Sequence, residues 1–421
     1  MGPLSHVTVL DLSRVLAGPW CTQHLADLGA EVIKIERPGS GDDTRAWGPP
    51  FAKDAQGRDT TEAAYYLCCN RGKRSVAVDF TQPEGQAIVR ELARTADVLV
   101  ENFKVGGLAK YGLDYVSLSP ANPRLVYCSI TGFGQTGPYA SRAGYDFIIQ
   151  GMSGFMSVTG EPDDVPGGGP QKAGVAITDL VTGLFAATGI VAAIANRERT
   201  GVGQHLDASL LDSAVSMMSV MNLNYLVTNV APPRLGNAHP NIVPYQAFPC
   251  ADGHIILAVG NDSQFAKFCE AAGTSWASDP RFASNADRVR ARSVLVPLIA
   301  EVIATRTQQS WLAALESRGV PCGPINTIDQ VFADPHVAAR GMRFDLAHPT
   351  AGSVPQVGSP FRFSKTPVSY DRAPPLLGQH TDEVLRARLG FDDRRIGDLA
   401  ARGVIGIATN AGDAAGVTRR D

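Results

Sequence analysis

The first 135 residues switch repeatedly between short runs of Val, Ile and Leu and longer stretches with helical spacing. Residues 7–12, 31–36 (EVIKIE), 75–80 (SVAVDF), 98–101 and 125–130 read as strands. Residues 20–28, stopped by Gly29, and 83–96 read as helices between them. Strands that alternate with helices need crossover connections, which are right-handed and build a parallel sheet. Strands with little polar alternation suit a sheet covered on both faces. The fold class this predicts is α/β.

The rest of the chain predicts a second body. A Gly-rich stretch (151–169) leads into a long helix from about 179 to 197 and another over 209–228. Residues 230–241 (VAPPRLGNAHPN) have linker composition. Residues 251–259 read as a hairpin or strand, and helical patterns follow to 318. The Pro- and Gly-rich segment 321–377 is expected to pack back onto the first body. The expected divisions are a large domain over 1–228, a linker and small domain over 229–325, a return segment over 326–405 and a flexible tail over 406–421. A length of 421 residues agrees with more than one core.

Composition narrows the function classes. Lys and Arg total 38 against 41 Asp and Glu, so the basic excess of a nucleic-acid binder is absent. At 44% apolar residues the chain is too hydrophobic for disorder. The apolar run 180–195 is short for a bilayer and reads as a buried helix, so no membrane partner is expected. The opening MGPLSHVTVLDLS lacks the charged and apolar regions of a signal peptide, and none is expected. Seven cysteines, an odd number with no C-x-x-C pair, predict no disulfide framework and no zinc site. A reducing, cytoplasmic setting follows.

The first strand-to-helix turn, Ser13-Arg14-Val15-Leu16-Ala17-Gly18-Pro19, has one glycine where a dinucleotide fingerprint has three. Strand two ends Glu36-Arg37, and an arginine there suits a phosphorylated ribose through charge-assisted bonds. Coenzyme A or NADP would fit. From spacing alone, Arg37 reads equally as a solvated strand-end arginine. Further basic residues lie near strand ends: Arg71, Lys73 and Arg74 before SVAVDF, and Asn102-Phe103-Lys104 with Lys110 after DVLV. Ligands of open α/β sheets bind beyond the strands' carboxyl ends, which would put Arg37 and 102–104 on one rim.

The segments VLDLSRVLAGP, EVIKIERPGSGDDTR, NRGKRSVAVD, DVLVENF and SITGFGQTGP, in that order, resemble the class III CoA-transferase family of formyl-CoA and carnitine-CoA transferases. GVAITDLVTGLFAATGIVAAI, RTGVGQHLDASLLD, GVPCGPIN and PPLLGQHTDEVL extend the resemblance over about residues 4–400. GDDTRAWGPPF, RAGYDF, HPNIVPYQAF, GNDSQF, VFADPHV and FDDRRIGDL are similar to the succinate–hydroxymethylglutarate (succinyl-CoA:glutarate) subgroup. The resemblance implies a Rossmann-like large domain made from both ends of the chain, a small inserted α+β domain, and two subunits interlocked as a homodimer.

The resemblance makes Asp179 the nucleophile; as a residue alone, it also reads as a helix cap. The implied chemistry passes CoA from succinyl-CoA to a dicarboxylate through an aspartyl anhydride and an aspartyl-CoA thioester. CoA is a substrate here; no prosthetic group or metal is implied. The implied CoA contacts are Val15, Leu16, Ala17, Arg37, Val78, Asp79, Asn102, Phe103, Lys104, Lys110, Thr131, Gly132, Phe133 and Gly134. Where formyl-CoA transferases have a glycine run, this chain has Gly236-Asn237-Ala238-His239-Pro240. His239, Tyr245 and Tyr145 are therefore candidates to read the acyl group, with Arg14 and Arg142 as candidates to pair with a second carboxylate. Two rivals are an α-methylacyl-CoA racemase and a non-catalytic CoA-binding protein. The racemase motif has a histidine in G-H-D, and this chain has Gly144-Tyr145-Asp146. A tyrosine, with an ordinary pKa of about 10, is a poor base at neutral pH.

Overall fold

A computed structural model describes residues 2–408, so the part of the expected tail over 409–421 lies outside the described residues. The chain divides into two units. The larger comprises Met1–Ser153, Gly174–Ser219 and His336–Asp421, and the smaller Gly154–Ala173 and Val220–Pro335. The sequence reading drew boundaries at 228/229 and 325/326 instead, and it gave 154–173 to the larger body.

The larger unit is built on one sheet. Six parallel strands are β1 (Thr8–Asp11), β2 (Glu31–Glu36), β3 (Lys73–Val78), β4 (Val98–Glu101), β5 (Val126–Thr131) and β6 (His205–Ser209). A short β7 (Ile405–Gly406) pairs antiparallel with β3 at the edge. Gly406, expected in the tail, is therefore part of the sheet. The spatial order is β7-β3-β2-β1-β4-β5-β6, the doubly wound arrangement whose direction reverses between β1 and β4.

Helices α1 (Ala17–Asp27), α2 (Pro83–Thr95), α3 (Asp146–Met152), α4 (Ile177–Thr200) and α5 (Leu210–Met217) belong to this unit. One core joins Ile33, Val76 and Leu99 to Ile88, Val89 and Leu92 of α2. The other joins Val9, Val98 and Val126 to Cys21 and Leu25 of α1 and to Ala186, Ile190 and Ile194 of α4. Residues with no polar alternation thus cover both faces of the sheet. A Cβ at Gly183 would lie 2.7 Å from the Ala17 carbonyl, so the glycine lets α4 close against the start of α1.

Two expectations are corrected here. The 209–228 helix is two, α5 and Ser219–Thr228, broken at Ser219 with φ 45°. The apolar run 180–195 lies in a 24-residue helix that is buried on one face only. This helix is long and apolar enough to cross a membrane by length and composition, yet its inner stripe packs in the core of the larger unit. Its outer stripe exposes Leu184, Phe185 and Val191.

In the smaller unit, Tyr245–Cys250, Gly253–Ala258 and Cys322–Pro324 form an antiparallel sheet with Gly253–Ala258 in the middle. Helices Asp262–Ala272, Arg292–Ile303 and Gln308–Glu316 bury Phe265, Phe268, Ile299 and Trp311 with Phe248 and Ile255. The 321–377 segment is therefore split: its first strand belongs to this sheet, and residues from His336 onward belong to the larger unit.

Candidate active site

A cleft of about 660 Å³ opens at the carboxyl ends of the larger unit's strands. It spans the reversal between β1 and β4, where open α/β sheets bind ligands. Its walls come from the loops after β1 (Arg14, Val15, Leu16, Ala17), β2 (Arg37), β3 (Val78, Asp79, Phe80), β4 (Asn102, Phe103, Lys104, Lys110) and β5 (Thr131, Gly132). Asp179, Arg142 and Tyr145 complete it.

Asp179 lies in the first turn of α4, whose N-cap, Ala176, has no side chain to cap with. The cap comes from another helix: Asp146 Oδ1 accepts from the Thr178 N–H at 2.8 Å and from its hydroxyl at 2.7 Å. Gln150 Nε2 holds the second Asp146 oxygen at 2.7 Å. Asp179 is left half-buried beside a second carboxylate, with no hydrogen bond to its own carboxylate among the described residues. Burial, and then the charge of Asp146, push its carboxyl from the ordinary 3.8 up to about 7. These outweigh the helix dipole, which favours the ionised form.

A second acid, Glu36, ends β2 where dinucleotide enzymes hold a ribose. Here it is buried and spent on Arg45, which reaches its two oxygens at 2.8 Å each, and on the hydroxyl of Ser75. Beneath the cleft, Asp11, Lys34 and Lys73 have fully buried side chains. Burial alone would raise the Asp11 carboxyl, but the Lys73 and Lys34 ammoniums and the hydroxyls of Ser13 and Thr22 hold it below its ordinary value. Lys73 and Arg71, noted in the sequence only as basic residues near a strand end, are therefore not surface charges. Lys73 Nζ bonds Asp11, the Pro19 carbonyl and Asn70, and Arg71 is buried in a two-bond pair with Asp27. Charges on a central sheet have no water to turn to, so they pair.

The two ends of the cleft differ. At the β2–β4 side, Arg37 is exposed; burial would raise the Asp79 carboxyl, but the Thr81 and Gln82 bonds and then the Arg37 charge hold it below its ordinary value. Phe80 meets Phe103 and Tyr111 edge-on at 5.8 and 5.6 Å, making an aromatic wall. Lys104 and Lys110 are exposed, and Lys110 lies 4.7 Å above the Tyr111 ring. Among the described residues, none of these three cations forms an ion pair. Arg14, by contrast, pairs with Asp43 at 3.0 Å.

At the β5 side, Arg142 lies over Phe133 and Tyr139, 5.2 and 4.5 Å from the ring centres. Phe133 and Gly134 stand behind the wall, where the Gly134 N–H bonds the Thr131 hydroxyl at 3.0 Å. A Cβ on Gly132 would lie 2.6 Å from the Gly144 Cα, so two glycines let the β5 loop and the approach to Asp146 touch. Tyr145 is 65% exposed. His239 and Tyr245 belong to the smaller unit, where their rings lie 5.3 Å apart and the His239 N–H donates to the Tyr245 carbonyl at 2.9 Å.

Sequence reasoning missed Asp146 as a cap and Tyr65 as a neighbour of Asp179. Burial and then the Asp179 charge push the Tyr65 phenol up to about 12. Nothing in YYLCC marks Tyr65, because folding alone brings it within reach of the Asp179 charge. Asp146 stood in view in Gly144-Tyr145-Asp146, with no signal that it faces α4.

Residues 4–381 match the family described as CoA-transferase family III. A succinate–glutarate CoA-transferase of Agrobacterium fabrum is 53% identical over 384 residues, 91% of this chain and 95% of that protein. The human succinyl-CoA:glutarate CoA-transferase is 45% identical over 404 residues, 96% of this chain and 90% of that protein. A crystal structure of a CAIB/BAIF family protein from Brucella suis superposes with TM-score 0.80 at 49% identity, covering 92% of this chain and 99% of that one. The chain therefore belongs to CoA-transferase family III and is an enzyme that takes CoA thioesters as substrates.

Proposed function

We propose that the enzyme moves CoA from succinyl-CoA to a dicarboxylate of the glutarate class, with Asp179 as nucleophile. The observation that carries this reading is Asp179 itself: a carboxylate lining the same cleft as the unpaired cations, left without a hydrogen bond among the described residues and raised toward neutrality. A carboxylate of higher pKa is the stronger nucleophile once ionised. Its oxygen attacks the thioester carbonyl and CoA thiolate leaves, giving a mixed anhydride. The thiolate attacks the Asp179 carbonyl, freeing succinate and forming an aspartyl-CoA thioester. The acceptor carboxylate attacks that thioester, and the released thiolate takes the new acyl group, which regenerates Asp179. No proton is gained or lost over the cycle. Backbone N–H groups of the glycine-bearing β5 loop suit the oxyanion at each tetrahedral stage.

CoA then lies with its phosphates toward Arg37, Lys104 and Lys110, its adenine near Val78, Asp79 and Phe103, and its pantetheine along Val15, Leu16 and Ala17. Thr131 and Gly132 line the thioester end, with Phe133 and Gly134 shaping the loop from behind. Arg37→Ala is expected to weaken CoA about 10-fold or more and dephospho-CoA little, as calorimetry would show. Equal losses for both would place Arg37 away from the ribose phosphate. Arg142, held by two rings and without a carboxylate partner among the described residues, suits the acceptor's second carboxylate. Tyr145, His239 and Tyr245 remain candidates for reading the acyl group.

Support for the donor and acceptor is the substrate pair named for both relatives above. The test is succinyl-CoA offered against a panel of mono- and dicarboxylates, with products read by mass spectrometry. Glutaryl-CoA is expected among the fastest products; its absence beside rapid transfer to monocarboxylates would refute the acceptor class. An interlocked homodimer, with the large unit Rossmann-like and the small one inserted, is part of the same reading. The exposed stripe of Leu184, Phe185 and Val191, with Phe147 and Ile148 on α3, needs a covering partner. A mass in solution near 44.5 kDa rather than twice that would contradict the dimer.

A further inference from the structure

The turn between β1 and α1 is held by side chains from other parts of the chain. Val15 has φ 70°, a left-handed conformation that a β-branched residue rarely adopts. Such strain persists only where the surroundings over-determine it. Here a side chain meets every backbone polar group from Ser13 to Val15. Asp11 Oδ1 accepts from the Ser13 N–H at 2.9 Å, and Lys34 Nζ donates to the Ser13 carbonyl at 2.8 Å. Asn102 accepts from the Arg14 N–H at 2.9 Å and donates to the Arg14 carbonyl at 2.6 Å. Asp42 Oδ1 accepts from the Val15 N–H at 3.2 Å, and the Cys69 thiol lies 3.7 Å from the Val15 carbonyl. Lys34 and Asp42 are themselves joined at 2.9 Å, both fully buried. The five partners, Asp11, Lys34, Asp42, Cys69 and Asn102, are spread over 92 positions of the chain.

We propose that Lys34, Asp42 and Asn102 are positioning residues that hold the Ser13–Val15 turn in its left-handed shape before acyl-CoA arrives. The inference rests on the transferase reading above, which lays Val15, Leu16 and Ala17 along CoA. It also changes the role of Asn102. The family resemblance implies a CoA contact, yet both ends of its carboxamide are spent on Arg14. A turn ordered during folding does not have to be ordered at the expense of binding. A glycine at position 15 would relieve the strain and also release the turn.

Two variants at one position separate preorganisation from side-chain contact. Val15→Ala removes the isopropyl group and keeps the steric restriction; Val15→Gly removes both. CoA affinity by calorimetry is expected to fall about 10-fold in Val15→Gly and no more than about 3-fold in Val15→Ala, with the glycine variant melting no lower than wild type. Equal losses in the two variants would assign the effect to the isopropyl contact and overturn the proposal.

A second arm needs no ligand. In Lys34→Met, hydrogen exchange of residues 13–16 is expected to speed up at least about 10-fold relative to β4 and β5. Exchange unchanged in that segment, in a folded variant, would also overturn it; if that variant does not fold, the Val15 pair decides. Wild-type protein that binds no CoA would bring down the transferase reading, while the exchange arm would still judge the clamp.

Discussion

Replacing Asp179 with alanine is expected to cut CoA transfer by about 10⁴-fold or more while changing CoA affinity less than about 3-fold. The size follows from the lack of a substitute. The other carboxylates lining the cleft are engaged: Glu36 by Arg45, Asp42 by Lys34, Asp43 by Arg14 and Asp79 by Thr81. Steady-state rates and calorimetry check the two halves separately. Activity of free enzyme should rise with pH through about 7, as the Asp179 carboxyl ionises.

The same raised value has a cost in stability. The folded state binds the Asp179 proton more tightly than the unfolded chain does. The favourable contribution is therefore complete below about pH 4 and is lost as pH rises toward 7. Asp179→Asn should then stabilise the protein by on the order of 1–2 kcal/mol at pH 8, after discounting for partial exposure, and not at pH 4. Chemical denaturation at the two pH values reads the difference. A variant that is inactive and equally stable at both would contradict the burial of charge at this site.

Lys73→Met is expected to cost about 3–5 kcal/mol of stability, read as a lowered denaturation midpoint. Lys73 Nζ sits 3.1 Å from Asp11 Oδ2 with both side chains at 0% exposure, and it also donates to Asn70 and the Pro19 carbonyl at 2.9 Å. Removing it leaves Asp11 buried with Lys34 as its remaining charged partner. Asp11 in turn anchors Ser13 and Thr22, so the loss spreads to both sides of the β1–α1 turn. A loss below about 1 kcal/mol would mean that water or relaxation reaches the pair and would contradict its burial.

The parallel sheet was legible because its strands are rich in Val, Ile and Leu with little polar alternation, and because helical spacings fall between them. The buried lysines were not. EVIKIE reads only as a strand with little polar alternation, with no role for Lys34, and the basic residues of NRGKRS read as surface charge near a strand end. Their carboxylate partners lie in other stretches of chain, and a local pattern holds no record of that. Arg37 and residues 102–104 could be placed near one another by the strand-end rule, and they line one cleft. The break at Ser219 and the capping of α4 by Asp146 were invisible for the same reason: both are set by packing between elements. Asp179 had only the look of a helix-start residue, and its selection came from the family resemblance, not from its spacing.

The most direct test is rapid quench of the enzyme with succinyl-CoA in the absence of acceptor, followed by intact-mass and peptide analysis. The account predicts a CoA thioester, or a trapped succinyl group, on the peptide carrying Asp179 and its loss when a dicarboxylate is added. Transfer that proceeds at full rate with no adduct at Asp179, or with the adduct on another residue, would contradict it.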